Sequence, residues 1–199
     1  MSHTRVVVID SGVANLGSVL AALSRLGTEA TLTVDPAVVE SASHVILPGV
    51  GAAAPAMARL RERGVDRLLP RLTVPVLGIC LGMQLMFEHT EEGDTECLGV
   101  IPGRLVRFDP ARCGRVPHMG WNRLDPVRES PLLAGLGADA FAYFVHSYAV
   151  PVAEHTVASC DYGGPFAAVV AHRNFFGAQF HPERSAVVGA TLLRNFLSL

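Results

Sequence analysis

The sequence carries little charge of either sign. Only 17% of its 199 residues are charged, and 16 basic against 18 acidic side chains leave a formal net charge of −2. Such a balance gives no electrostatic footprint for nucleic acid. No long charge run or low-complexity tract is present, and with 50% apolar residues the composition excludes disorder. No apolar run reaches the roughly 18 residues of a membrane span. The few apolar residues after Arg5 are too short for the h-region of a signal peptide. Cys80, Cys97, Cys113 and Cys160 form no C-x-x-C pair and no zinc-finger or zinc-ribbon spacing. A chain this long and apolar needs no disulfide staple. Phosphate-binding loops, dinucleotide fingerprints and metal-ligand sets are missing as well. With no repeats or linkers, the expectation is one soluble, cytoplasmic domain over residues 1–199.

What is present in the first half is alternation. Val6-Val7-Val8-Ile9 is a β-branched run of the kind buried on both faces of a parallel sheet. Asn15 can cap a helix with apolar positions at Leu16, Val19, Leu20, Leu23 and Leu26, and Gly27 stops it. Strands over 30–34 and 44–47 flank a short helical turn at 36–40. A helix over 53–63, a strand over 75–79 and a helix over 81–88 follow. This order predicts an α/β fold with an open, mostly parallel sheet flanked by helices. The second half reads as strands at 105–108, 141–145, 157–160, 167–171 and 175–180, extending the sheet with antiparallel elements. A helix over 186–197 closes the chain.

Gly78-Ile79-Cys80-Leu81-Gly82 has the form of a nucleophile elbow between a strand and a helix, with cysteine at its centre. The glycines make room for the sharp turn, and the helix start favours thiolate. Taken alone, the pentapeptide equally fits a small buried cysteine in a tight turn. Cys160 ends an apolar strand and reads as core, while Cys97 and Cys113 sit among turn residues. A thiol nucleophile needs a base and a group to orient it. His181, stiffened by Pro182 and followed by Glu183, can project with that carboxylate toward the same strand ends as Cys80. An incidental surface turn fits that string too. His118 and His146 lack a neighbouring carboxylate. His3, His89, His155 and His172 read as solvent or edge positions.

The pentapeptide with Met83-Gln84, together with Phe180-His181-Pro182-Glu183, resembles the class I (triad) glutamine amidotransferases, whose fold is flavodoxin-like. Leu47-Pro48-Gly49-Val50-Gly51, Pro117-His118-Met119-Gly120-Trp121-Asn122, Tyr143-Phe144-Val145-His146-Ser147-Tyr148 and Gly12-x-x-Asn15 resemble the branch that serves imidazole glycerol phosphate synthase. The likeness runs from about residue 5 to 197. It implies Cys80 as nucleophile, His181 as general acid/base and Glu183 as its orienting carboxylate. It implies glutamine binding by Gln84, Glu92 and Ser147, and an oxyanion site at the Leu81 amide and Gly49-Val50-Gly51. Glutamine would be hydrolysed to glutamate and ammonia without cofactor or metal. The ammonia would pass to a (β/α)8-barrel cyclase subunit that forms imidazole glycerol phosphate and AICAR. Asn15, Trp121 and Arg184 would face that partner in a heterodimer. Arg184 stands where the family has lysine, keeping the charge with a different shape. The same triad also fits a subunit of another synthase, or a catalytically idle regulatory relative.

Overall fold

The computed structural model describes residues 5–10 and 16–199. Strand β1 (Val6–Ile9) is followed by helix α1 (Leu16–Arg25), β2 (Ala30–Thr33), α2 (Pro36–Glu40), β3 (His44–Gly49), α3 (Ala53–Glu62) and β4 (Val76–Cys80). The predicted cap of α1 by Asn15 lies outside the described residues. Among the described residues these strands enter an eight-stranded sheet in the order β2, β1, β3, β4, Phe175–Ala178, Pro165–His172, Thr156–Asp161 and Asp125–Pro126. The first five are parallel, and the last three add on antiparallel. The α/β reading therefore holds.

The apolar runs are continuous because the sheet is buried on both faces. Along β1, Val6 and Val8 pack with Val19, Leu23 and Phe196 on one side. Val7 and Ile9 pack with Val39, Met57 and Leu60 on the other, as the two-residue period of a strand requires. No helix among the described residues is long and apolar enough to cross a membrane.

Three expectations need correction. The helix after β4 spans only Leu81–Gln84, not 81–88. The amides that would continue it bond elsewhere: those of Met86 and Phe87 tighten onto the Met83 and Gln84 carbonyls three residues back, and that of Glu88 donates to the Gly103 carbonyl. The second-half strands also do not all extend the main sheet. Phe175–Ala178 joins it parallel to β4 and ends two residues earlier than predicted, because Gln179 and Phe180 leave the ladder before His181. Arg104–Arg107 belongs to a small four-stranded sheet with Tyr148–Ala149, His89–Thr90 and Thr95–Glu96, and Phe141–His146 pairs antiparallel with His118–Arg123 as a separate ladder. Finally, His155 is buried, its ring set edge-on to Phe87, rather than lying at an edge.

The two-stranded ladder has unlike faces. Its inner face buries His118, Phe144 and His146 against Phe108 and Phe166, with the His118 ring stacked on Tyr162 at 4.1 Å. Burial pulls the His118 imidazole down to about 4 and that of His146 down to about 3. Its outer face exposes Met119, Trp121 and Phe141.

This packing sets the cost of one added methyl group. A Cβ at Gly82 would overlap the Leu47 carbonyl oxygen, backbone against backbone. Gly82→Ala should therefore cost about 3 kcal/mol in denaturant unfolding. The buried imidazoles set a response to acid. Unfolded imidazoles take up protons below about pH 6.5, whereas His118 and His146 stay neutral in the fold until about 4 and about 3. Stability should fall as pH drops through that window, by up to about 1.4 kcal/mol per pH unit for each ring. Unfolding at stepped pH should show a shallower fall for His118→Phe, which keeps the stacking and removes one titrating group.

Candidate active site

Strand β4 delivers Cys80 to the end of the sheet and turns there. Cys80 has φ 52° and ψ −111° and caps the one-turn helix Leu81–Gln84. Few side-chain-bearing residues adopt positive φ, and sustaining it needs the surroundings to enforce it. The enforcing contacts are close backbone approaches. A Cβ on Gly78 would stand 2.6 Å from the Met83 backbone, so only glycine lets the helix fold back over its own strand. The Leu81 amide opens that helix, where N–H groups lack intrahelical acceptors. Gly49 is the register partner of Cys80 across β3 and β4, which lays Gly49-Val50-Gly51 beside the turn. Gly51 has φ 89°, and Val50 is exposed.

The neighbouring parallel strand brings the second group. Beyond Phe175–Ala178, His181 caps the short 3₁₀ turn Pro182–Arg184. Its Nδ1 meets Glu183 Oε1 at 2.8 Å, with both side chains buried. Glu183 Oε2 is buried with no hydrogen-bond partner among the described residues. Burial by itself would pull the imidazole down. Hydrogen bonds to Cys80 and Glu183, and the charges on both, outweigh it and push His181 up to about 10. His181 therefore holds its proton throughout the neutral range, between a sulfur and a carboxylate.

The ladder contributes backbone rather than side chains. Cys80 Sγ lies 3.7 Å from the Val145 carbonyl, and the His181 amide donates to the Tyr143 carbonyl at 3.0 Å. Buried Ser185 fastens the same place: its hydroxyl donates to the His181 carbonyl at 2.7 Å and accepts from the Tyr143 amide at 2.9 Å. Gln179, fully buried, directs Nε2 at Cys80 Sγ across 3.9 Å. Sequence reading missed Ser185 and Gln179. A glutamine inside an apolar strand, two residues before the histidine, was the available signal.

The remaining candidates divide. Gln84 is buried, with Nε2 donating at 3.1 Å to both the Tyr148 carbonyl and Gln179 Oε1. Glu92 Oε2 accepts from the Ala53 amide at 2.8 Å, capping α3 from a distance where Ala52 offers no side-chain cap, so it anchors the chain just past Gly51. Ser147 follows the ladder, and its carbonyl accepts from Phe108. Trp121 is exposed with its ring edge-on to Tyr143, and the Arg184 guanidinium stands over that tyrosine at 5.9 Å. Asn15 lies outside the described residues. A thiol, an imidazole and a carboxylate in this order can carry out acyl transfer through a covalent thioester.

Residues 7–199 match the family model of class-I glutamine amidotransferases. Relatives named imidazole glycerol phosphate synthase subunit HisH, from Xylella fastidiosa and Xanthomonas axonopodis pv. citri, are 60% identical over 98% of this chain and 98% of their own. Among solved structures, a protein described as a GMP synthase subunit from Thermoplasma acidophilum superposes with a TM-score of 0.76 at 18% identity, covering 100% of this chain and 94% of its own. A glutamine amidotransferase from Thermotoga maritima gives 0.64 at 15%, covering 98% and 83%. These two show a shared fold. With a family match across nearly the whole length and relatives at 60% identity, the chain belongs to the class-I glutamine amidotransferases.

Proposed function

We infer that this chain is the glutaminase subunit of an imidazole glycerol phosphate synthase, hydrolysing glutamine through Cys80, His181 and Glu183. The observation that carries the mechanism is the buried His181–Glu183 pair at 2.8 Å, set beside a cysteine in strained backbone. His181 enters the reaction as imidazolium, having taken the Cys80 thiol proton and held so by the sulfur and by Glu183. The Cys80 sulfur attacks the carboxamide carbon, and the oxygen takes the charge. The Leu81 amide is one donor for that oxyanion, and an N–H of Gly49-Val50-Gly51 is the other. His181 then protonates the departing nitrogen, releasing ammonia and leaving a glutamyl thioester on Cys80. Water gives a proton to the now neutral imidazole and attacks the thioester. Glutamate leaves, and the sulfur and imidazolium return to their starting state. Gln84, Glu92 and Ser147 hold the substrate's amino and carboxylate ends in this reading.

The chain works as a subunit of a synthase complex. Its partner is a (β/α)8-barrel cyclase, docked on the ladder's exposed Met119, Trp121 and Phe141 with Arg184 at the rim. Asn15 completes that face by family position. The ladder's backbone touches both Cys80 and His181, so a partner seated on its outer side reaches the triad through main-chain atoms. No cofactor or metal has a role in these steps.

In the complete complex, Cys80→Ala and His181→Ala should each abolish glutamate release. Glu183→Gln should be roughly 100-fold milder than His181→Ala, since an orienting group moves no proton itself. Equal loss from both would remove the distinction in roles. Mixing the chain with its cyclase and the cyclase ligand should raise glutamate production by about 100-fold or more, the scale set by one well-placed oxyanion donor. Arg184→Ala should reduce that stimulation while changing stability by no more than about 1 kcal/mol. Full activity from the single chain, indifferent to partner and ligand, would overturn the partner assignment.

A further inference from the structure

The Tyr148 carbonyl oxygen accepts two hydrogen bonds, from His146 Nδ1 at 2.9 Å and from Gln84 Nε2 at 3.1 Å. A carbonyl can only accept, so it fixes the polarity of everything attached to it. On one arm, the Gln84 atom facing it must be the amide nitrogen. The same nitrogen meets Gln179 at 3.1 Å, so Gln179 must present oxygen there. Its remaining end, the N–H group, is then turned to Cys80 Sγ. On the other arm, His146 carries its proton on Nδ1, leaving Nε2 as an acceptor for His118 Nδ1 at 3.1 Å. That leaves His118 Nε2 to accept from Asn122 Nδ2 at 3.3 Å, while Asn122 Oδ1 accepts from the Arg123 amide at 2.8 Å. No tautomer or amide orientation along the chain is free. The arrangement requires both imidazoles neutral, because an imidazolium has no acceptor nitrogen, and burial holds both well below the ordinary histidine range.

We propose that Gln179 is a positioning residue for the nucleophile: oriented by Gln84 and the Tyr148 carbonyl, it aims an N–H at Cys80 Sγ, and the His146–His118–Asn122 arm locks that carbonyl to the docking ladder. This deepens the triad reading and rests on it. Gln179 is suited to the task because its own amide is tied to the Ala168 carbonyl at 2.9 Å and its side chain is wholly enclosed. A donor at the sulfur stabilises negative charge there before substrate arrives, and hydrogen bonds to charged groups are stronger than neutral ones. Gln84 then has a task within the protein itself, distinct from any contact with glutamine.

The test separates these roles with a probe that needs no substrate. Iodoacetamide alkylation of Cys80 in the full-length chain, followed by peptide mass spectrometry, reads the sulfur directly at neutral pH. Gln179→Met should slow it by about tenfold and, in the cyclase complex, lower kcat while leaving KM for glutamine within about twofold. Should that variant fail to fold, Gln84→Met provides the second reading. It removes the group that orients Gln179 and should slow alkylation by about threefold or more. Folded variants alkylated at the wild-type rate, with Gln84→Met raising KM alone, would overturn the proposal and leave the triad intact. The triad reading fails by a different result: a Cys80→Ala complex that still hydrolyses glutamine.

Discussion

The strained turn at Cys80 is the constraint on which the rest of the site depends. A residue with a side chain at φ 52° and ψ −111° sits roughly 1–3 kcal/mol above ordinary backbone. It persists because β4 lies between two parallel neighbours, β3 and Phe175–Ala178, and cannot shift without breaking both ladders. The glycines at 78 and 82 then admit the helix that folds back across the strand. With the sulfur fixed at the exit of one strand, the next parallel strand brings His181 out beside it. Ligand crevices of open α/β sheets form at such carboxyl ends.

Electrostatics at this exit is a contest that burial loses. An imidazole enclosed by protein would ordinarily shed its proton, as His118 and His146 do. His181 keeps its proton because Glu183 stands at 2.8 Å on one ring nitrogen and Cys80 hydrogen-bonds the ring as well. The same low dielectric that penalises an isolated charge strengthens its attraction to nearby opposite charges. Three histidines within one small region thus take different charge states, separated by whether a cysteine sulfur and a carboxylate flank the ring.

Much of the scaffold was legible in the sequence because its signals are local. The apolar run of Val6–Ile9, the Pro36–Glu40 turn and the strand entering Gly78-Ile79-Cys80 each carry their own pattern, and each formed as read. The elbow glycines and the His181-x-Glu183 spacing pointed Cys80 and His181 toward the same strand ends, and the structure brings the two side chains together there. What escaped depends on partners distant in the chain. Pairing of His118–Arg123 with Phe141–His146 cannot be inferred from either string alone. The helix after Cys80 is cut short because the Glu88 amide, which would close its last turn, donates to the distant Gly103 carbonyl. His155 looked like an edge residue until Phe87 covered it. Gln179 and Ser185 gain meaning only from the atoms they face, which lie on other elements.

The two arms that meet near Cys80 share an acceptor that belongs to the main chain. Every amino acid supplies the same carbonyl at position 148, whatever its side chain. Genetic drift at that codon can change the tyrosine ring, yet it leaves the point that orients Gln84 and His146 in place. Only an insertion, a deletion or a rerouted backbone between Val145 and Ala149 can remove it. Heredity therefore has two separate grips on this site: side chains that single substitutions can tune, and a hub that they cannot delete.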